Sequence, residues 1–241
     1  MNDQVSVLIT AYKRPHTLET QISAIESQTC SPKEIVVWQN GTSNANKALS
    51  SYDYVCCKNN KGVWPRFAFP LYAFDTKYVA IFDDDTIPGE QWFENCINVM
   101  DKTPGLLGTN GVIFQDGTRH PRKYVGWSSM NHATERADIV GHCWFFERNW
   151  LRYFMACEPA ASVGPTCGED YHFSYALQRA GIPTYVPPHP KGEMALWGST
   201  AASYGMDDKA LYMQPGEEDK KLAVHNDYRS MGWKTLSDGG L

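Results

Sequence analysis

Three consecutive carboxylates, Asp83-Asp84-Asp85, stand at the end of the apolar run Tyr78-Val-Ala-Ile-Phe82. Like charges this close repel one another, and a fold tolerates them most easily when a cation offsets the charge. Hard divalent ions such as Mg2+ and Mn2+ take oxygen ligands, and few need come from the protein when phosphate oxygens complete the shell. Alternate residues of an extended segment share a face, so Asp83 and Asp85 are expected to meet one ligand while Asp84 points elsewhere. A solvated acidic turn, helped by Pro88 and Gly89, is the alternative reading of the same residues. A second acidic pair, Glu169-Asp170, follows Gly168 where a helix is expected to begin. The helix dipole favours carboxylates there, and capping alone is reason enough for them.

The elements that must position these groups follow from periodicity. Residues 5–9 form an apolar run without helical period, read as a buried strand that ends at Thr10-Ala-Tyr-Lys-Arg-Pro15. Leu18, Ile22 and Ile25 recur at helical spacing, and Glu34-Ile-Val-Val-Trp38 then supplies a second strand. This β-α-β unit calls for parallel strands and a right-handed crossover. A short strand near residues 54–56 and a helix over residues 63–75 precede the clearest strand, residues 78–82. The acidic run therefore lies at a strand's carboxyl end, where open α/β sheets gather their ligands.

Helices are expected over residues 89–100, 148–155 and 169–180, and strands over 106–109, 111–114, 139–145 and 184–186. The pattern describes one α/β domain, residues 1–190, around a mostly parallel central sheet. Residues 191–241 are polar and weakly patterned, and are expected to fold over the site.

Composition narrows the partners. The chain has 241 residues, 42% of them hydrophobic, which is enough for a sizeable core. A net charge of −5 argues against broad affinity for nucleic acid, which needs a basic surface. No stretch approaches the roughly 18 apolar residues of a membrane span, and the first strand begins without a leader-like segment. A soluble, cytoplasmic protein is the expectation. The 7 cysteines are odd in number and lack paired metal spacings, so they read as reduced thiols.

In this order, the strand, Thr10–Pro15, the helix, Pro32-Lys-Glu-Ile-Val-Val-Trp38, Asn60-Lys-Gly-Val-Trp-Pro-Arg66 and Ala80-Ile-Phe-Asp-Asp-Asp-Thr-Ile-Pro88 resemble a glycosyltransferase of the GT-A fold. Within that fold the chain is similar to the exostosin C-terminal domain, a hexosaminyltransferase, through its Val-Val-Trp strand and the aspartates followed by Thr86. It is also similar to the large inverting family-two transferases, through Thr-Ala-Tyr-Lys-Arg-Pro. The resemblance spans residues 4–187.

It implies transfer of a sugar from a nucleotide-sugar donor, expected to be a UDP-sugar, to a glycan or glycoconjugate, with Mn2+ or Mg2+ as cofactor. Thr10, Ala11, Tyr12 and Arg14 would then lie along the nucleotide, with Arg14 reaching a phosphate, and Asn60 and Arg66 would approach base, ribose or diphosphate. Asp83, Asp84 and His142 join this donor set. Asp85 and Asp83 would hold the metal, with a third ligand from the tail, His225 in preference to His189.

Asp170 would serve as general base in an inverting enzyme, or lie beneath the sugar ring in a retaining one, while Glu169 orients hydroxyls. One departure stands out. Family-two enzymes usually carry an acidic residue after the second strand, and here Gln39-Asn40-Gly41-Thr42 stands instead, leaving Asn40 to bond a uracil. Two alternatives compete. A nucleotidyltransferase would normally show a Gly-rich loop after the first strand, and residues 10–15 contain no glycine. A non-catalytic sugar- or nucleotide-binding domain would have no need of Asp83, Asp85 and Asp170.

Overall fold

The computed structural model describes residues 4–14, 16–41, 52–127, 129–198, 210 and 214–241. Pro15, Thr42 and, from the expected covering segment, residues 199–209 and 211–213 lie outside the described residues. The chain runs β1 (Val5–Ala11), α1 (Leu18–Glu26), β2 (Glu34–Asn40), β3 (Asp53–Cys57), α2 (Pro65–Ala73), β4 (Tyr78–Asp83) and α3 (Trp92–Met100). It continues through β5 (Leu106–Phe114), β6 (Arg122–Gly126), β7 (Glu135–Arg136), β8 (Ile139–Glu147), α4 (Leu151–Ala156), α5 (Glu169–Arg179), β9 (Thr184–Val186), α6 (Met194–Trp197) and α7 (Glu217–Ser230). This is an α/β domain built on one nine-stranded sheet in the order β3-β2-β1-β4-β8-β5-β9-β7, with β6 beside β5.

The first four strands in that order are mutually parallel. Strand β8 enters antiparallel to both β4 and β5. All seven residues of β1 are buried, as expected of a parallel strand covered on both faces. Helix α1 turns Leu18, Ile22 and Ile25 inward, and Gln21 with them.

Residues 106–114 form one strand rather than two, with a register shift between Gly108 and Asn110. Four elements, β6, β7, α6 and α7, have no counterpart among the expected ones. Strands β6, beside β5, and β7, beside β9, are short and half-exposed. Helix α7 buries only Glu217, Val224, His225 and Tyr228. A separate aromatic cluster, including Phe114, Tyr171, Tyr175, Tyr228 and Trp233, fastens α7 to α5.

Candidate functional site

The carboxyl ends of β1 and β4 open into a cavity of about 660 Å3, closed on its far side by α5 and α7. Thr10 and Asp83 are register partners across the two strands, so the loop after β1 and the acidic run leave the sheet together. Helix α1 then fixes the run by its main chain. Gln21 Nε2 donates to the carbonyls of Asp83 at 2.7 Å and Thr86 at 2.6 Å, and Thr17 donates to that of Asp84.

The three aspartates do three different things. Asp84 points back, as alternation requires: its Oδ2 accepts the N–H groups of Tyr12, Lys13 and Arg14 at 3.1, 3.1 and 3.3 Å. Its Oδ1 takes Arg14 Nη1 at 2.8 Å. Asp84 is therefore a buried brace for the loop, at the lining of the cavity. Arg14 is likewise held by carboxylates, with Asp85 Oδ2 at 3.1 Å, and is not an open phosphate fork. Ala11 is buried between β2 and β4 and does not line the cavity, whereas Thr10 and Tyr12 do.

Asp83 and Asp85 face the cavity together with His142 of β8. One ligand atom from each lies within 4.8 Å of the others, a spacing that fits a single metal ion. His142 Nδ1 lies 3.6 Å from Asp85 Oδ1, too far for a hydrogen bond, and is buried with no other partner. A buried nitrogen left open beside two carboxylates is what a metal site requires of its protein. His142 is also the one non-glycine residue at positive φ, 67°, among the described residues. Its ring packs against Trp127 at 4.4 Å, and its carbonyl accepts Thr86 Oγ1 at 2.9 Å.

His225 takes no part in this cluster. It is fully buried, with Nε2 3.2 Å from the Gly117 carbonyl and its ring among Phe114, Tyr171 and Trp233. The third member of the candidate cluster thus comes from β8 rather than from the tail. His189 is also remote, buried between Trp92 and Trp197.

Arg66 links the acidic run to α5. Its guanidinium bonds Asp83 through Nη1 and Glu169 Oε1 through Nη2 at 2.6 Å, above the Trp144 ring at 4.3 Å. Burial pushes Glu169 up to about 7, Arg66 opposing and Asp170 adding to the rise. Burial also raises Asp83 against the pull of Arg66. For Asp85 burial is outweighed by His142 and Arg14, and its carboxyl is held below the usual range. Asp170 is half-buried on the cavity wall, with Oδ1 accepting the Tyr171 N–H at 2.9 Å.

Asn40 and Asn60 both line the cavity but bond each other. Asn40 Nδ2 gives one hydrogen to Asn60 Oδ1 and the other to the Gly62 carbonyl at 2.8 Å, while its Oδ1 accepts the Lys61 N–H at 2.7 Å. With both donors engaged, Asn40 braces the loop at the edge of the cavity. Gly62 lies at φ +80°, and a Cβ there would meet the Pro165 carbonyl oxygen at 1.9 Å. Only glycine lets this loop rest against the segment that leads into α5.

The family model for glycosyl transferase family 2 matches residues 6–154, more than half the chain. The chain belongs to glycosyl transferase family 2. Of the two groups its motifs resemble, the match supports family two, and nothing found supports the exostosin group. No curated protein matches the chain. This is a nucleotide-sugar glycosyltransferase, and its candidate metal site lies within the matched span. No helix among the described residues is long and apolar enough to cross a membrane.

Sequence reasoning missed one wall of the glycosyltransferase cavity, made by Arg119, Arg122, Tyr124 and Trp127 with Glu218 and Lys221 of α7. The signal available was the basic run Arg119-His-Pro-Arg-Lys123, conspicuous in a chain of net charge −5.

Proposed function

We propose that this protein transfers a sugar from a UDP-sugar to a hydroxyl of a glycan or glycoconjugate, with inversion, dependent on Mn2+ or Mg2+. One observation carries the reading: the Asp83, Asp85 and His142 cluster and the half-buried Asp170 carboxylate line the same cavity. Family-two membership supports the inverting outcome over the retaining one. A divalent ion held by Asp83, Asp85 and His142 would offset the negative charge that develops on the departing diphosphate.

The chain's own residues do the rest. Asp170 takes the proton of the acceptor hydroxyl as its oxygen bonds the anomeric carbon and the bond to the diphosphate breaks. Its Oδ1 is fixed by the Tyr171 N–H, which leaves the other oxygen for the acceptor. Arg66 keeps Glu169 in place beside the base, where Glu169 orients sugar hydroxyls. The Tyr12 ring, 38% exposed at the cavity's edge, offers a face to the uracil. Residues 191–241 complete the cavity through Ala210, Gln214, Glu218 and Lys221.

The test is Asp170→Asn, assayed for UDP affinity with Mn2+ by calorimetry and for sugar transfer. Donor affinity should hold while transfer falls on the order of a hundred- to ten-thousand-fold. Asn also caps a helix well, so transfer near the wild-type rate would return Asp170 to a capping role and remove it from the chemistry.

A further inference from the structure

Across the cavity from the acidic run, the residues around the start of β6 surround a single carboxylate of α7. Arg119, 5% exposed, forks onto Glu218, with Nε 2.8 Å from Oε1 and Nη2 3.0 Å from Oε2. His120 Nε2 lies 2.6 Å from Oε1, and Arg122 Nη1 lies 3.2 Å from the same oxygen. Lys221, one turn further along α7, lines the same wall and forms no ion pair among the described residues. Three permanent cations, Arg119, Arg122 and Lys221, thus stand against two carboxylates, Glu218 and the neighbouring Asp170, a local excess of positive charge on a cavity wall.

The donor side does not account for this excess, because Arg14 and Arg66 there are matched by Asp84, Asp85, Asp83 and Glu169. Arg119 also donates to the hydroxyl of Tyr171, the residue after Asp170, so the cluster lies beside the carboxylate assigned to the acceptor hydroxyl. The carboxylate at its centre is replaceable. Glu218 has a side chain 51% exposed, in the first turn of α7. The preceding Gly216 is at φ +78° with open space around it. Although partial burial opposes it, Arg119 and His120 hold the Glu218 carboxyl down to about 2, as they would any oxyanion at that point.

We propose that Arg119, Arg122 and Lys221 form an acceptor subsite for an acidic group, a carboxylate or a phosphate borne by the acceptor sugar, and that Glu218 is the resident anion this group displaces. The proposal rests on the transferase reading given above. It makes the acceptor an acidic glycan, a specificity that the metal cluster does not determine.

The experiment uses the full chain saturated with UDP and Mg2+ and follows the Arg119 and Arg122 Nε–H signals by magnetic resonance. Methyl β-glucuronide, glucose 6-phosphate and the neutral methyl β-glucoside are the probes. At least one acidic probe should saturate these signals at a concentration tenfold or more below the glucoside, and the tighter of the two identifies the acidic group. Arg122→Gln should bring the acidic probe to the glucoside's affinity at Arg119 while UDP affinity stays within twofold. Glu218→Gln should tighten the acidic probe several-fold, because the competing charge is gone.

Equal affinity for all three probes would overturn the subsite. A loss of UDP affinity in Arg122→Gln would assign the cluster to the donor diphosphate instead. A Glu218→Gln variant that melts lower and binds the acidic probe no better would make Glu218 a clasp for α7. Failure of UDP to bind the wild type would sink the UDP-sugar reading, while the probe titrations, repeated without UDP, still decide the anion site.

Discussion

The two walls of the cavity hold their charges by different means. On the donor wall the acidic run is fixed through its main chain by Thr17 and Gln21, and Asp84 is closed off by three N–H groups and Arg14. On the acceptor wall the charges meet side chain to side chain, through Glu218 of a helix whose buried face is narrow. A main-chain anchor moves only if the fold moves. A side-chain anchor on the first turn of a helix can exchange partners without unfolding anything. The comparison places rigidity at the candidate metal cluster and adaptability at the wall proposed to recognise the acceptor.

The sharpest way to break this comparison is within the acidic run itself. Asp84→Ala takes the buried acceptor from three N–H groups and leaves Arg14 with Asp85 as its carboxylate, and should cost about 4 kcal/mol of stability. Asp85→Asn should leave the melting temperature nearly unchanged and abolish the Mn2+-dependent part of UDP binding. Denaturant melts and calorimetry on the two variants decide it. If Asp85→Asn were the more destabilising, the division of labour assigned to the run would be wrong.

A second test uses pH. His189 is buried with Nδ1 donating to the Pro187 carbonyl, and burial lowers it to about 4. As pH falls from 6.5 toward 4, the unfolded chain gains a proton that the folded state refuses, so stability falls by about 3 kcal/mol. Asp138 has the opposite sign. It accepts the N–H groups of Phe114 and Leu236, both at 2.6 Å, and burial raises it to about 6.

The Asp138 contribution is present in full below its unfolded value of 3.8 and is lost as pH rises through 6, again by about 3 kcal/mol. These two terms should largely cancel between pH 4 and 6.5. Relative to the wild-type slope, which also carries the raised Glu169, His189→Leu should gain stability on acidification and Asp138→Asn should lose it. Urea melts at four pH values read both slopes, and parallel slopes in the two variants would contradict the assignment.

The smallest effect sharpens the acceptor wall. Tyr228 of α7 bonds His172 Nδ1 of α5 at 2.9 Å and accepts the Ala160 N–H at 3.3 Å. Tyr228→Phe should cost about 1 kcal/mol and lower transfer more than it lowers UDP affinity. Equal losses in both would mean that α7 supports the whole cavity and not one wall.

Much of the donor wall was legible because its signals are local. Strong apolar runs define β1 and β4, and alternation along Asp83–Asp85 predicts that Asp84 turns away, as it does. The partners of side chains were not legible. Asn40 and Asn60 have the hydrogen-bonding groups a base needs, but Gly62 and Lys61, brought close by the turn, take them first. His225 and His142 look alike in sequence; a strand register decides that His142 meets the acidic run, and aromatic packing decides that His225 does not. Helix α7 escaped because most of its length faces solvent and its few inward residues include a glutamate and a histidine.

The loop Tyr12–Arg14 has one further consequence. Successive main-chain N–H groups that converge on one point form a nest, a concavity with partial positive charge of the kind many proteins use to seat phosphate. Here the nest is filled from within by Asp84 Oδ2. A diphosphate entering the cavity finds that seat occupied, and the nearby Arg14 already neutralised by two aspartates. The fold has thus filled from within one main-chain seat for a phosphate beside β1.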